Sequence, residues 1–79
     1  MNREDILNEI KTIIEDILDD EIELCEDTVA SDVDGWDSLT HILIINEIEK
    51  HFEIKIPMKD VVKLKNVGDL INSIQECKK

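Results

Sequence analysis

Residues 3–18 carry Ile6, Leu7, Ile10, Ile13, Ile14, Ile17 and Leu18 at three-and-four spacing, with the charged side chains left on the opposite side. That period dictates an amphipathic helix, although isoleucine by propensity favours strands. Glu4 and Asp5 suit its first turn, where the helix dipole favours negative charge. The chain has 79 residues, 42% hydrophobic but only 3% aromatic. A chain this short buries about 60% of its unfolded surface, so its core must be simple and aliphatic, with isoleucine as the main filler. Such a core suits a small bundle and argues against an enzyme with a deep pocket.

From Asp19 to Asp37 the periodicity is lost and acids accumulate, with Ile22, Leu24, Val29 and Val33 as isolated apolar anchors. This reads as a long ordered loop, long enough to be functional or to contain a helical turn of its own. Asp32-Val33-Asp34-Gly35 invites a calcium-loop reading with Gly35 at the sixth position. The register fails, because the first position would be Ala30 and the twelfth His41, where carboxylates are required. No metal site is expected.

The loop ends in Gly35-Trp36-Asp37-Ser38-Leu39, where a second helix begins and runs to about Phe52. Asp37 suits the N-cap, placing Ser38 in the first turn beside free N–H groups and the positive end of the dipole. A phosphate is favoured at such a place; the ordinary alternative is that Asp37 or Ser38 simply caps the helix. On a helical wheel Ile42, Ile45, Ile48 and Phe52 share the expected core face, with Ile44 at its edge. Leu39 and Leu43 fall on the other side with Asn46 and Lys50, either exposed as docking contacts or packed under the preceding loop.

Glu53-Ile54-Lys55-Ile56-Pro57 alternates like a strand, but a lone five-residue strand is not stable in a small domain, so it is a connector. Pro57 suits the entry of a short third helix through Asp60-Val61-Val62-Lys63-Leu64. Asn66 then caps a last helix with Asp69 at the capping-box position, and Val67, Leu70, Ile71, Ile74 and Cys77 make its inward stripe. Lys78 and Lys79 suit its C-terminal dipole. The expected fold is all-α: a single domain over residues 1–79, a small four-helix bundle with three longer helices, one short helix and a long loop between the first and second.

Net charge is −11, and residues 1–37 hold 14 acids against 2 bases, while residues 38–79 hold 6 against 7. Neither nucleic acid nor an anionic membrane surface suits such a chain; a basic protein partner does. Cys25 and Cys77 lack metal-ligand spacing and read as free thiols. No apolar run approaches membrane-spanning length and no signal-peptide core opens the chain, so a cytoplasmic protein is expected; the expected oligomeric state is a monomer. Ser38 and His41, three apart on the second helix, raise a serine nucleophile with a histidine base. No orienting carboxylate, oxyanion hole or pocket accompanies them in the sequence, and His51 reads as a solvent-facing residue at a helix end.

The stretch Gly35-Trp36-Asp37-Ser38-Leu39 resembles the attachment site of acyl and peptidyl carrier proteins. The likeness continues through Glu47-Ile48-Glu49-Lys50-His51-Phe52, Ile54-Lys55-Ile56-Pro57 and Asn66-Val67-Gly68-Asp69-Leu70-Ile71, over most of the chain. The resemblance implies a carrier rather than an enzyme. Ser38 would bear 4′-phosphopantetheine, delivered from coenzyme A by a magnesium-dependent phosphopantetheinyl transferase. The arm's thiol would hold an acyl or aminoacyl group as a thioester. It further implies that Asp37 positions the serine, that Leu39 contributes to recognition by the transferase, and that Leu39, Leu43, Asn46 and Glu47 form a docking face for acyl- or aminoacyl-loading ligases or synthases with basic patches.

Fatty-acid members usually have an acid-rich recognition helix, whereas residues 38–52 contain only Glu47 and Glu49, opposed by Lys50, and Leu43 stands where an acid is expected. Trp36 looks more like stand-alone carriers of specialised pathways. The resemblance therefore implies polyketide, nonribosomal peptide, lipid or cell-surface chemistry rather than housekeeping fatty acid biosynthesis. An aminoacyl or peptidyl carrier loaded by an adenylating enzyme is the alternative, and an unmodified acidic interaction module the remote one.

Overall fold

The computed structural model describes residues 2–78. Four helices follow in order: α1 (Arg3–Leu18), α2 (Ser38–Phe52), α3 (Met58–Val61) and α4 (Val67–Cys77), with one 3₁₀ turn, Ala30–Asp32, inside the long α1–α2 loop. No strand occurs among the described residues. Lys79 lies outside them, and Lys78 Nζ donates to the Phe52 carbonyl, tying the end of α4 to the end of α2.

Each longer helix starts on a polar side chain that takes up an orphan N–H: Asn2 accepts from Asp5 N, Asp37 from Thr40 N and Asn66 from Asp69 N. The capping box expected at α4 is not formed in full, because Asp69 Oδ2 accepts from Lys65 N, one residue before the cap. At their C-terminal ends α1 and α2 share another device. Asp19 and Glu53 adopt the left-handed conformation, φ 55° and 56°. Glu15 and Glu49 then each reach seven residues ahead, accepting from Ile22 N and Ile56 N. The same cap and the same carboxylate latch turn the chain out of both helices.

α1 packs on α2 and on α4. Ile6, Ile10 and Ile14 meet Ile44, Ile45, Ile48 and Phe52 of α2 and Val67, Leu70, Ile71 and Ile74 of α4 in one core, which Ile56 and Val61 complete. Full burial of each such side chain contributes about 2 kcal/mol. The expected α2 face needs one correction: Ile44 is 0% exposed and Ile42 is 40% exposed. Both flank the Ile45–Ile48–Phe52 stripe, and the side that α1 covers is the Ile44 side. The third helix is also shorter and earlier than expected. Lys63 N and Leu64 N bond back to Asp60 and Val61 carbonyls, three residues away, so the chain tightens after Val61 instead of continuing as α-helix.

The acidic loop is ordered by its alternate side chains. Ile22, Leu24 and Trp36 pack against the core, and Thr28 and Val33 are buried. Its backbone docks on α4, with Val67 N donating to Thr28 O (2.9 Å) and Gly68 N to Glu26 O (2.8 Å). A Cβ on Gly68 would come within 3.2 Å of that Glu26 carbonyl, so the glycine permits the close approach. Arg3 locks the same junction, donating to Glu26, Asn72 and Gln75 at once. The Glu26 carboxylate raises the Arg3 pKa, and the guanidinium in turn lowers that of Glu26. His51 is not simply a solvent-facing residue: Nε2 lies 2.6 Å from Glu9 Oε2, and the ring meets Phe52 edge-on.

Candidate functional site

The start of α2 is built by the residues that precede it. Gly35 takes φ +88°, a turn most side chains resist, and a Cβ there would also meet Leu18 Cδ2 at 3.2 Å. The chain then extends through Asp37, whose Oδ1 accepts from Thr40 N at 2.9 Å. This N–H, with the Thr40 hydroxyl, holds the Asp37 carboxyl below its ordinary pKa. Ser38 is the first residue of the helix and is exposed. Among the described residues nothing takes a hydrogen bond from its hydroxyl. No acid occupies the first turn of α2 after Asp37, so the dipole end at Ser38 is countered only by the cap.

Ser38 and His41 do not pair. His41 Nδ1 accepts from Trp36 Nε1–H at 3.1 Å, and the two rings stack with centroids 6.1 Å apart. The imidazole thus faces the loop rather than the serine, and a serine–histidine nucleophile has no geometric basis. Sequence reasoning missed this contact, yet Trp36 stands just before the N-cap and His41 at the fourth helical position. Those are the two positions of a hydrophobic staple, which is the signal that identifies the pair.

Leu39 is 72% exposed and Leu43 46%, so neither packs under the loop. Asn46 and Glu47 are exposed on the same helix, and Glu47 pairs with Lys50 at 3.7 Å. On the other side of Ser38 an open apolar cleft runs between α2 and α3, lined by Trp36, Ile42, Met58, Val61, Val62 and Leu64. All five large apolar side chains left exposed among the described residues, namely Leu39, Ile42, Leu43, Met58 and Val62, belong to α2 or to the α3 segment. Cys25 and Cys77 are free thiols remote from this end of the bundle in sequence, and burial pushes the Cys77 thiol up. Among the described residues no three His, Cys, Asp or Glu side chains converge as a metal centre requires, and no helix is long and apolar enough to cross a membrane.

Ser38 thus stands as an exposed hydroxyl at the capped start of α2, beside an open apolar cleft. A family model described as the phosphopantetheine attachment site matches residues 8–74. The acyl carrier protein of Brachyspira hyodysenteriae is 37% identical over 76 residues, covering 94% of this chain and 97% of that protein. That of Thermotoga maritima is 32% identical over 76 residues, covering 95% and 94%. The solution structure of a holo acyl carrier protein from Geobacter metallireducens superposes with a TM-score of 0.83 at 38% identity, covering 90% of this chain and 83% of that one. The chain belongs to the acyl carrier protein family: it is a carrier, not a catalyst, and its prosthetic group is 4′-phosphopantetheine.

Proposed function

We propose that Ser38 is the residue that bears the phosphopantetheine, and that the chain, as one carrier domain over residues 1–79, holds acyl intermediates as thioesters for a specialised biosynthetic pathway. The observation that carries the assignment is the exposed, unengaged hydroxyl at the first position of α2. In the attachment reaction Ser38 Oγ forms a bond to the β-phosphorus of coenzyme A and loses its proton. The bond between the two phosphorus centres' bridging oxygen and the β-phosphorus breaks, and adenosine 3′,5′-bisphosphate leaves. Asp37 holds the first turn in place through Thr40, which keeps the serine pointing outward. The start of α2 then faces a phosphodiester that its dipole favours. When attached, the group would supply a long arm ending in a thiol able to hold an acyl group as a thioester.

Leu39 and Leu43, with Asn46 and Glu47 beside them, form the docking face for the transferase and for acyl-handling enzymes. Basic patches on those partners meet the carboxylates concentrated in residues 1–37, so docking is fast, weak and salt-sensitive. The working state is a cytoplasmic monomer. The near-absence of acids on α2, where Glu47 is already paired with Lys50, supports a dedicated pathway over general fatty acid synthesis.

Protein purified from its native cells under mild acid tests the cargo. Its intact mass should exceed that of the holo form by an acyl group, and neutral hydroxylamine should return it to the holo mass. Release of an amino acid hydroxamate instead would establish the aminoacyl alternative, and a chain carrying no arm at all would leave the interaction module.

A further inference from the structure

We propose that His41 is a positioning residue for the modification of Ser38, acting through Trp36, and that it acts only while its imidazole is neutral. The inference rests on Ser38 as the attachment residue. An indole N–H donates and does not accept, so the ring nitrogen that meets Trp36 Nε1 at 3.1 Å must hold a free lone pair. A protonated imidazole has none, because both of its nitrogens carry hydrogen. One proton therefore turns the hydrogen bond into two N–H groups facing each other.

Ring stacking does not rescue the charged form. The ring planes lie 24° apart with centroids 6.1 Å apart, and the indole N–H, which lies in its own ring plane, points at the imidazole. The imidazole thus meets the positive edge of the indole and not the negative face that attracts a cation. Of the residues bordering the two spaces that His41 lines, only Asp37 of the α2 cap and Lys65 of the α3–α4 connection are charged. The long loop, α3 and α4 present uncharged side chains there, so neither sign of charge dominates. The loss of the bond matters because Trp36 stands between the Gly35 turn and the Asp37 cap. Its backbone N–H donates to Val33 O at 3.2 Å and its side chain packs partly against the core, so the indole ties that turn to the fourth residue of α2. With the tie cut, the turn and the first residue of the helix move more freely, and the transferase meets Ser38 in its productive place less often.

His41 and His51 are the two histidines of the chain and Trp36 its one tryptophan, so each signal has a single source. Trp36 emission is followed from about pH 8 to about pH 5, where histidine ordinarily changes charge, in the parent, His41→Gln and His51→Gln. The parent and His51→Gln should shift to longer wavelength along a single-proton curve. His41→Gln, whose side-chain oxygen accepts from the indole at every pH, should not shift. Intact mass then gives the rate of Ser38 modification with coenzyme A, magnesium and one transferase at each pH. The parent rate divided by the His41→Gln rate cancels the enzyme's own pH dependence. That ratio should fall about fivefold from the upper to the lower limit, as the loss of one such bond implies. Trp36→Phe, which lacks the donor, supplies the same non-titrating reference for the rates if the glutamine variant does not fold. A parent emission maximum that does not move, or a rate ratio that is flat with pH, overturns the proposal. A parent that carries no arm and gains no mass at any pH overturns the Ser38 assignment beneath it, while the emission titration still decides whether the pair opens.

Discussion

Two residues shape the entry to α2, and neither touches the Ser38 hydroxyl. Gly35 sits at φ +88° with Leu18 against it, so Gly35→Ala should lose about 1–2 kcal/mol from the strained backbone alone. Chemical denaturation measures the loss. The same variant should slow Ser38 modification, because the turn that feeds the helix is displaced. Asp37 acts through protons as well as through shape. Its folded pKa is lowered by the Thr40 donors, as that of Glu26 is by Arg3. Each group therefore adds stability that is complete above the ordinary carboxylate range, about pH 4, and is lost as pH falls through the lowered folded value. An acid titration of the melting temperature should fall through that window, and the fall should be shallower in Asp37→Asn. Identical acid limbs in the two proteins would remove Asp37 from the account.

At the scale of the element, α2 shows what a sequence can and cannot reveal. Its start, its end and its cap were legible, because Asp37, the apolar period and the loss of that period after Phe52 are local signals. The assignment of Ile42 to the core was not correct, and the reason lies outside the helix. Ile42 and Ile44 flank the same stripe, and only the placement of α1 and the shortness of α3 decide which one is covered. Ile44→Ala should therefore cost about 3 kcal/mol, as expected for a fully buried isoleucine, whereas Ile42→Ala, at a 40% exposed position, should cost less than about 1 kcal/mol. Equal losses in urea denaturation would contradict the observed face. The Trp36–His41 staple and the two carboxylate latches at Glu15 and Glu49 escaped periodicity for a related reason. Each joins a helix to the irregular chain outside it, where no period operates.

For the molecule as a whole, the arrangement of three longer helices, one short helix and a long ordered loop follows from pattern, while the cohesion of the loop does not. Its apolar anchors announced that it packs, but the bonds from Val67 and Gly68 to its backbone and the clasp of Arg3 join residues 23 to 72 positions apart. No sequence spacing signals those pairings. The acids of residues 1–37 remain an excess that this clasp offsets at one point only. Added salt should screen their mutual repulsion and raise the melting temperature, and no change between low and high ionic strength would mean that they are already well separated or paired.

All of these features converge on one hydroxyl at the head of α2, so the most direct measurement is intact mass. The chain is incubated with coenzyme A, magnesium and a phosphopantetheinyl transferase, with Ser38→Ala alongside. A carrier loaded at Ser38 gains the mass of one phosphopantetheine in the parent and nothing in the variant. An unchanged parent that carries no arm beforehand, or a variant that gains the same mass, would contradict it.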